Sequence, residues 1–431
     1  MARGHIVTGL DIGTSTIKIL VAQKRQDEWE VLFCAQRPSF GLRRGVVINI
    51  EETAKNIQLL IDGVRKDRGI NINSAFVNIG GSHLYVTPSD GIISVSRADQ
   101  RISEEDIERV LQATRSINIP SNEEILDVFP KEFVIDNQRG IKHPLGLTGI
   151  RLEAKVILLC YFQLYFTNVT QAVLNAKLQI NDIVPSCLAA AEAVLTRQQK
   201  ELGVALIDIG SDTTSLAVFE EGDLIHMAIF PLGSANITKD LAIGLKTEFD
   251  IAENIKKQHG ICMISKNDKS GRQGVTKKNQ PPVRNALRSD VSGKKKIEVF
   301  SQSQPLSFTE KDLIDIIEPR VSEILDLIQK ELKKIGRQEL LPGGIVLTGG
   351  GAKLSGIKDL VKQQLKLTCQ IGTLKGMVGL DQDPALATVV GLVVGGTSIE
   401  DSSKGGGVFG FLRPVKRMFS KMKKVMRVFI P

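Results

Sequence analysis

The chain has 431 residues, 42% of them hydrophobic and 24% charged; this is too long for one compact core and too ordinary in balance for a disordered or fibrous chain, so two or more folded lobes are expected. The net charge of +8 is uneven: residues 405–431 hold seven Lys/Arg and no acid, and residues 261–296 hold ten Lys/Arg against two Asp, which leaves −7 on the remainder. An acidic body with two basic appendages argues against a nucleic-acid-binding core, whose positive stripe lies on the folded domain itself. The five cysteines (Cys34, Cys160, Cys187, Cys262, Cys369) are scattered, with no Cys-x-x-Cys and no His at ligand spacing. They fit buried thiols in a reducing compartment rather than a disulfide frame or zinc site. No apolar run is long enough to span a bilayer, and the first strand begins so early that no signal peptide is expected.

In chain order, the first informative stretch is 9–21, GLDIGTSTIKILV. It predicts an apolar strand ending at Asp11, a tight turn, and a second strand leaving at Lys18. Gly13 permits close approach of a ligand, and the N–H groups of Thr14, Ser15 and Thr16 can share one anion-binding concavity. Asp11 then stands where a carboxylate holds the water shell of Mg2+. Strands are expected over 28–33 and 45–50, a helix over 51–68 with Ile57, Leu60, Ile61 and Val64 on its apolar face, and a buried strand over 75–79 ending in Gly80-Gly81. From 82 to 157 the pattern becomes that of a small α+β insertion. Two strand-like pieces precede a helix capped by Ser103 with Asp106 three positions on, and strands follow over 129–135 and 152–159. Helices are expected over 169–178 and 185–195.

The pattern of the first turn returns 197 positions later, over 206–218, LIDIGSDTTSLAV, so that Asp208 matches Asp11, Gly210 matches Gly13 and Thr213 matches Thr16. Two copies predict two lobes presenting Gly210, Ser211, Asp212, Thr213 and Thr214 on one side of a shared cleft and the first turn on the other, with Asp11 and Asp208 flanking a cation. Gly233 and a helix over 237–245 lead to Asp250…Glu253, read as a capping box opening a helix that ends at Gly260. Glu253, Lys256 and Lys257 share one face of it, either a ligand-facing or a simply solvated one. Residues 262–293 lack any hydrophobic period and read as a disordered basic loop. A helix over 309–335 is expected to break or kink at Pro319. The strand 344–348 runs into Gly349, Gly350 and Gly351, which leave room for a nucleoside, before a helix near Ser355; a last helix starts at Asp383-Pro384 and stops at Gly395-Gly396. After a polar linker, 397–407, the segment 408–431 carries a helix from Pro414. Its apolar side holds Val415, Met418, Phe419, Met422, Val425, Met426 and Phe429, and its other side Lys416, Arg417, Lys421, Lys423, Lys424 and Arg427. Six charges forbid spanning, and the pattern is that of a helix lying in a lipid interface. Each cation near an anionic leaflet contributes about 1 kcal/mol.

Two Asp-x-Gly turns followed by Thr348-Gly349-Gly350-Gly351 resemble the actin and heat-shock-chaperone superfamily, and within it the bacterial cell-division FtsA family. The likeness extends through 184–195, 317–321 and 383–392. It implies an α/β, two-lobed actin-like ATPase fold (duplicated RNase H-like domains) with an inserted α+β subdomain and a C-terminal amphipathic helix. The implied division is subdomain IA at 1–82 and 158–198, IC at 83–157, IIA at 199–232 and 315–396, and IIB at 233–314. It further implies ATP and Mg2+ as ligands, with Glu253 near the ribose and Lys256 and Lys257 beside the base. Implied partners are the FtsZ C-terminal tail through Arg320 and Glu323, further copies in a filament, later division proteins and the anionic inner leaflet. The implied location is the cytoplasmic face of the membrane at the division site. Hydrolytic members carry Gln or Glu just before the proline of the interlobe helix, where this chain has Val184. Slow hydrolysis is therefore expected, with Asp182 as the candidate substitute. The rivals are the pilus-assembly protein PilM and, from another class, a phosphotransferase of the same superfamily.

Overall fold

The computed structural model describes residues 6–25, 28–263, 296–300 and 305–401. The first lobe opens with a meander of β1 (Ile6–Ile12), β2 (Thr16–Arg25) and β3 (Glu28–Pro38), then a small hairpin of β4 (Leu42–Arg43) and β5 (Val46–Val47), α1 (Ile50–Arg68) and β6 (Ser74–Ile79). An insertion follows: β7 (Tyr85–Ser94), α2 (Glu104–Ala113), β8 (Glu123–Ile135), β9 (Gln138–Ile141) and β10 (Arg151–Phe162). The chain returns through α3 (Gln163–Asn175), β11 (Gln179–Pro185) and α4 (Ser186–Val194). The second lobe comprises α5 (Arg197–Leu202), β12 (Val204–Ile209), β13 (Thr214–Glu220), β14 (Asp223–Phe230), α6 (Ser234–Gly244), α7 (Phe249–His259), β15 (Lys296–Phe300), β16 (Pro305–Thr309), α8 (Glu310–Lys334), β17 (Ile345–Thr348), α9 (Ile357–Leu365) and β18 (Cys369–Ile371). Finally β19 (Met377–Val378) pairs with β3, and α10 (Ala387–Asp401) packs on the first lobe.

The two lobes are one topology used twice. The first sheet runs β3-β2-β1-β6-β11 with β19 added outside β3, and the second runs β14-β13-β12-β17-β18. In each, the strand entering the turn is antiparallel to the strand leaving it and parallel to the strand on its other side. Between the sheets lie α4 and α10. Their Ala189, Ala190, Ala191, Val389 and Val390 join Leu20 and Phe76 of the first lobe and Leu206 and Phe219 of the second in one buried cluster. The helices touch backbone to backbone: a Cβ on Gly391 would stand 1.7 Å from the Ala189 carbonyl oxygen, so only glycine fits there.

The insertion forms a four-stranded sheet, β7-β10-β8-β9, with α2 across it. Ser103 and Asp106 make the expected reciprocal capping box. One face closes its own core around Val110, Phe133, Leu152 and Leu158. On the other, Leu126 and Phe129 meet Leu224 and Met227 of the second lobe. Lys142 Nζ completes that contact, 2.8 Å from Asp223 and 3.1 Å from Glu221.

Several local expectations are corrected. One strand, β7, precedes α2 where two pieces were expected. Of 45–50, only Val46 and Val47 are strand, because Asn49 caps α1 by accepting from the Glu52 N–H. Asp250 and Glu253 form no capping box: the N-cap of α7 is Glu248, without a side-chain bond, and Glu253 points to Thr238 and Lys256. Helix α8 runs through Pro319 uninterrupted, held by a buried stripe including Leu313, Ile317, Val321, Ile324 and Ile328. A short 3-10 turn, Gly350–Lys353, precedes α9, which starts at Ile357 rather than Ser355. Another 3-10 turn, Pro384–Leu386, precedes α10, and α10 continues past Gly395-Gly396 into the expected linker. Most of the basic loop 262–293 and all of 408–431, including every expected lipid-facing and basic tail residue, lie outside the described residues.

Candidate functional site

The two turns are built alike. The Gly13 N–H donates to the Thr16 carbonyl at 3.2 Å, and the Gly210 N–H to the Thr213 carbonyl at 2.9 Å. Both open on one interlobe cleft of about 540 Å³, a volume ordinary for a cofactor site. Asp11, Gly13, Thr14, Ser15, Thr16 and Lys18 line it from one lobe, and Asp208, Gly210, Ser211 and Thr213 from the other. Glu253, Lys256 and Lys257 of α7 and the glycines 349–351 close the second-lobe side.

Not every expected residue reaches the cleft. Asp212, Thr214 and Gly233 are absent from its lining, and Ser234 stands there instead. Asp212 reaches across the lobes, accepting from the Arg44 N–H at 3.1 Å. The Thr214 hydroxyl is buried without a hydrogen-bond partner among the described residues. Gly233 is a packing residue, since a Cβ there would come within 2.4 Å of the Ser211 carbonyl oxygen. The three glycines also divide by role: a Cβ on Gly349 would meet Asp208 Oδ1 at 2.3 Å and one on Gly351 would meet Ile209 at 2.3 Å, whereas Gly350 faces open space. Only Gly350 is therefore small for the sake of the cleft. Lys256 is buried and committed inward, donating to the Ser234 carbonyl and the Thr238 hydroxyl and pairing with Glu253 at 2.7 Å. Burial lowers its pKa despite that partner. Burial raises the Glu253 pKa, but hydrogen bonds from Lys256 and Thr238 outweigh this and hold it low.

The two carboxylates differ. Asp11 Oδ2 accepts from Lys18 Nζ at 2.8 Å and its Oδ1 from Asn78 Nδ2 at 2.9 Å. The Asp208 carboxylate accepts no hydrogen bond from the described residues. Burial, then the charge of Asp11, push its pKa up to about 6, with Lys18 opposing. Asp182 is not in the cleft. It is buried on β11, where desolvation raises it to about 6, and its carboxylate accepts from the Ile183 N–H. Val184 is buried too. Arg320 is bound within the fold, forked onto Asp240 of α6 at 2.6 and 3.0 Å and paired with its neighbour Glu323.

Sequence reasoning missed Asn78, Ser186, Ser234, Lys353, Asp383 and Thr388 in the lining. Asn78 alone left a readable sign, a lone amide in the apolar strand over 75–79. The cleft fits a nucleoside triphosphate with its cation. Paired turn amides and Lys18 suit phosphates, the open face of Gly350 leaves room for a nucleoside, and two carboxylates converge. Among the described residues no group of three or more His, Cys, Asp or Glu is placed to hold a metal. A cation there depends on phosphate and water oxygens beside the carboxylates, which is how Mg2+ is ordinarily held.

The family model for cell division protein FtsA matches residues 205–391, and that for the SHS2 domain inserted in FtsA matches residues 81–160. Cell division protein FtsA of Pseudomonas aeruginosa is 36% identical over 91% of this chain and 89% of its own length. The chain belongs to the FtsA family of cell division proteins. Solved structures agree on the fold. The PilM–PilN type IV pilus biogenesis complex aligns over 90% of this chain and 98% of its own with a TM-score of 0.62 at 17% identity. MreB5 of Spiroplasma citri bound to ADP aligns over 93% and 99% with a TM-score of 0.54 at 13% identity. PilM is thus a distant neighbour in fold, whereas the FtsA relationship runs through sequence along nearly the whole chain. Among the described residues of this FtsA-family protein, no helix is long and apolar enough to cross a membrane.

Proposed function

We propose that this FtsA-family protein binds ATP with Mg2+ in the interlobe cleft, polymerises in the closed form, and ties FtsZ filaments to the cytoplasmic face of the membrane through residues 408–431. The convergence of both turns on one cleft, with Asp11 and Asp208 in the same lining, carries the nucleotide reading. In it the turn amides and Lys18 hold phosphates, Asp11 and Asp208 the hydrated cation, and Lys257 and Gly350 the nucleoside end. The bound cation supplies charge neutralisation between phosphates. Isothermal calorimetry with ATP and Mg2+ tests this, with one equivalent bound expected; no heat in a folded sample contradicts it.

Hydrolysis is proposed to be slow, below about one turnover per second, the low end of ordinary enzyme rates. Val184 cannot hydrogen-bond to a water, and Asp182 stands outside the cleft lining. The subdomain division IA, IIA, IC and IIB is proposed with the boundaries given above. For the tail, flotation with anionic liposomes is expected to retain the full chain and release one truncated after Gly407. Filament avidity then multiplies modest single-tail binding. The surface over α6 and α8 is the proposed FtsZ-tail contact. Because Arg320 also anchors Asp240, the clean variant is the half-exposed Glu323→Lys; unchanged binding of an FtsZ tail peptide would remove Glu323 from that contact.

A further inference from the structure

We infer that Asn78 is a positioning residue for the cation, fixing the Asp11 carboxylate and tying it to the start of the interlobe helix α4; this rests on the nucleotide reading of the cleft. The amide makes three contacts that admit one orientation. Its Oδ1 accepts from the Ile12 N–H at 2.6 Å, while its Nδ2 donates to Asp11 Oδ1 at 2.9 Å and to Ser186 Oγ at 3.0 Å. Flipping the group would set an NH2 against an N–H and an oxygen against a carboxylate, so the network itself assigns the amide. Ser186 passes the restraint on, its hydroxyl donating to the Ile79 carbonyl at 3.1 Å. Asn78 is 3% exposed and Asp11 5%, so these bonds form away from bulk water.

The consequence concerns geometry. Lys18 balances the charge of Asp11 but is a rotatable point donor, whereas the planar amide, itself pinned at both ends, sets where Oδ1 lies. With one contact taken on each oxygen, the remaining lone pairs of Asp11 face the cleft in a fixed direction, ready for the water shell of a cation. Outer groups that orient a metal-binding carboxylate typically govern metal affinity by 10- to 100-fold.

The test uses the full chain and ATP affinity measured with Mg2+ and with EDTA. Asn78→Asp keeps shape and the bond from Ile12 but turns an acceptor toward Asp11. The enhancement of ATP affinity by Mg2+ is expected to fall by about tenfold or more, beyond any fall in the cation-free affinity. A purely structural role would lower both affinities together, and that result, or an unchanged Mg2+ enhancement, overturns the inference. Should Asn78→Asp fail to fold, Ser186→Ala removes the second anchor of the amide alone. It is expected to cut the Mg2+ enhancement several-fold, and an unaltered enhancement is then the overturning result. A wild-type protein that binds no ATP would instead fail the reading of the cleft.

Discussion

The two Asp-x-Gly turns share a backbone but not an environment. Across the hairpin Asp11 faces Lys18, while Asp208 faces Ser215. On the parallel side Asp11 has Asn78, while Asp208 has Thr348, whose hydroxyl donates to the Pro384 carbonyl instead. One lobe therefore holds a carboxylate that is already paired and aimed. The other holds one that burial and its counterpart's charge drive toward protonation. The hydrogen-bonded turn recurs in both lobes, and two different flanking residues leave one copy with a partnered acid and the other with an acid unpartnered among the described residues. In the proposed reading, a cation between them would satisfy the second without displacing the partners of the first.

The largest effect expected from this contrast is on folding. Asp11→Ala strands the Lys18 ammonium, 9% exposed, and removes one acceptor from Asn78. The expected cost is on the order of 3 kcal/mol in chemical denaturation, the scale for breaking one side of a buried ion pair; a loss under about 0.5 kcal/mol, typical of a surface site, would break the contrast. In the second lobe the corresponding steric test is Gly349→Ala, at φ +82 with Asp208 Oδ1 in the path of the new Cβ. It is expected to destabilise by roughly 2 kcal/mol. Gly350→Ala, facing open space, should fold as wild type and bind ATP more weakly.

Smaller and opposite in sign, Asp208→Asn should stabilise the cation-free protein at neutral pH, by on the order of 1 kcal/mol after allowance for solvent in the cleft. Melting temperatures in EDTA check this, and a fall would contradict it. A pair outside the cleft sharpens the comparison. Burial pushes Asp127 on β8 to about 8 and Asp182 on β11 to about 6, each well above an exposed aspartate. Folded pKa values above the unfolded ones stabilise the fold at low pH, and that contribution is lost as pH rises from about 4 through 8. Asp127→Asn should therefore melt higher than wild type at pH 8 and equally at pH 4. Addition of ATP and Mg2+ should leave that difference unchanged, because neither acid is part of the cleft lining.

What could be read from the chain was what repeats locally. The turns, strands and glycines announced themselves through spacing, and the 197-residue offset joined them into one site. The pairings of Asn78 with Asp11 and of Thr348 with Asp208 stayed hidden because they come from parallel pairing of strands distant in sequence. The fork of Arg320 onto Asp240 stayed illegible because the two lie 80 positions apart. Glu253 was read as a cap because local spacing allowed it, yet Thr238 and Lys256 claimed it. The glycines at 349 and 351 line the cleft as expected, but their tight packing on Asp208 and Ile209 of β12 left no sign in the sequence.

The central claim is that both turns grip one ligand, and hydrogen exchange of the backbone amides tests it most directly. On addition of ATP with Mg2+ the amides of 14–16 and those of 211–213 are predicted to slow together, at the same ligand concentration. Protection of one turn with the other unchanged, or half-saturation at two different concentrations, would contradict it.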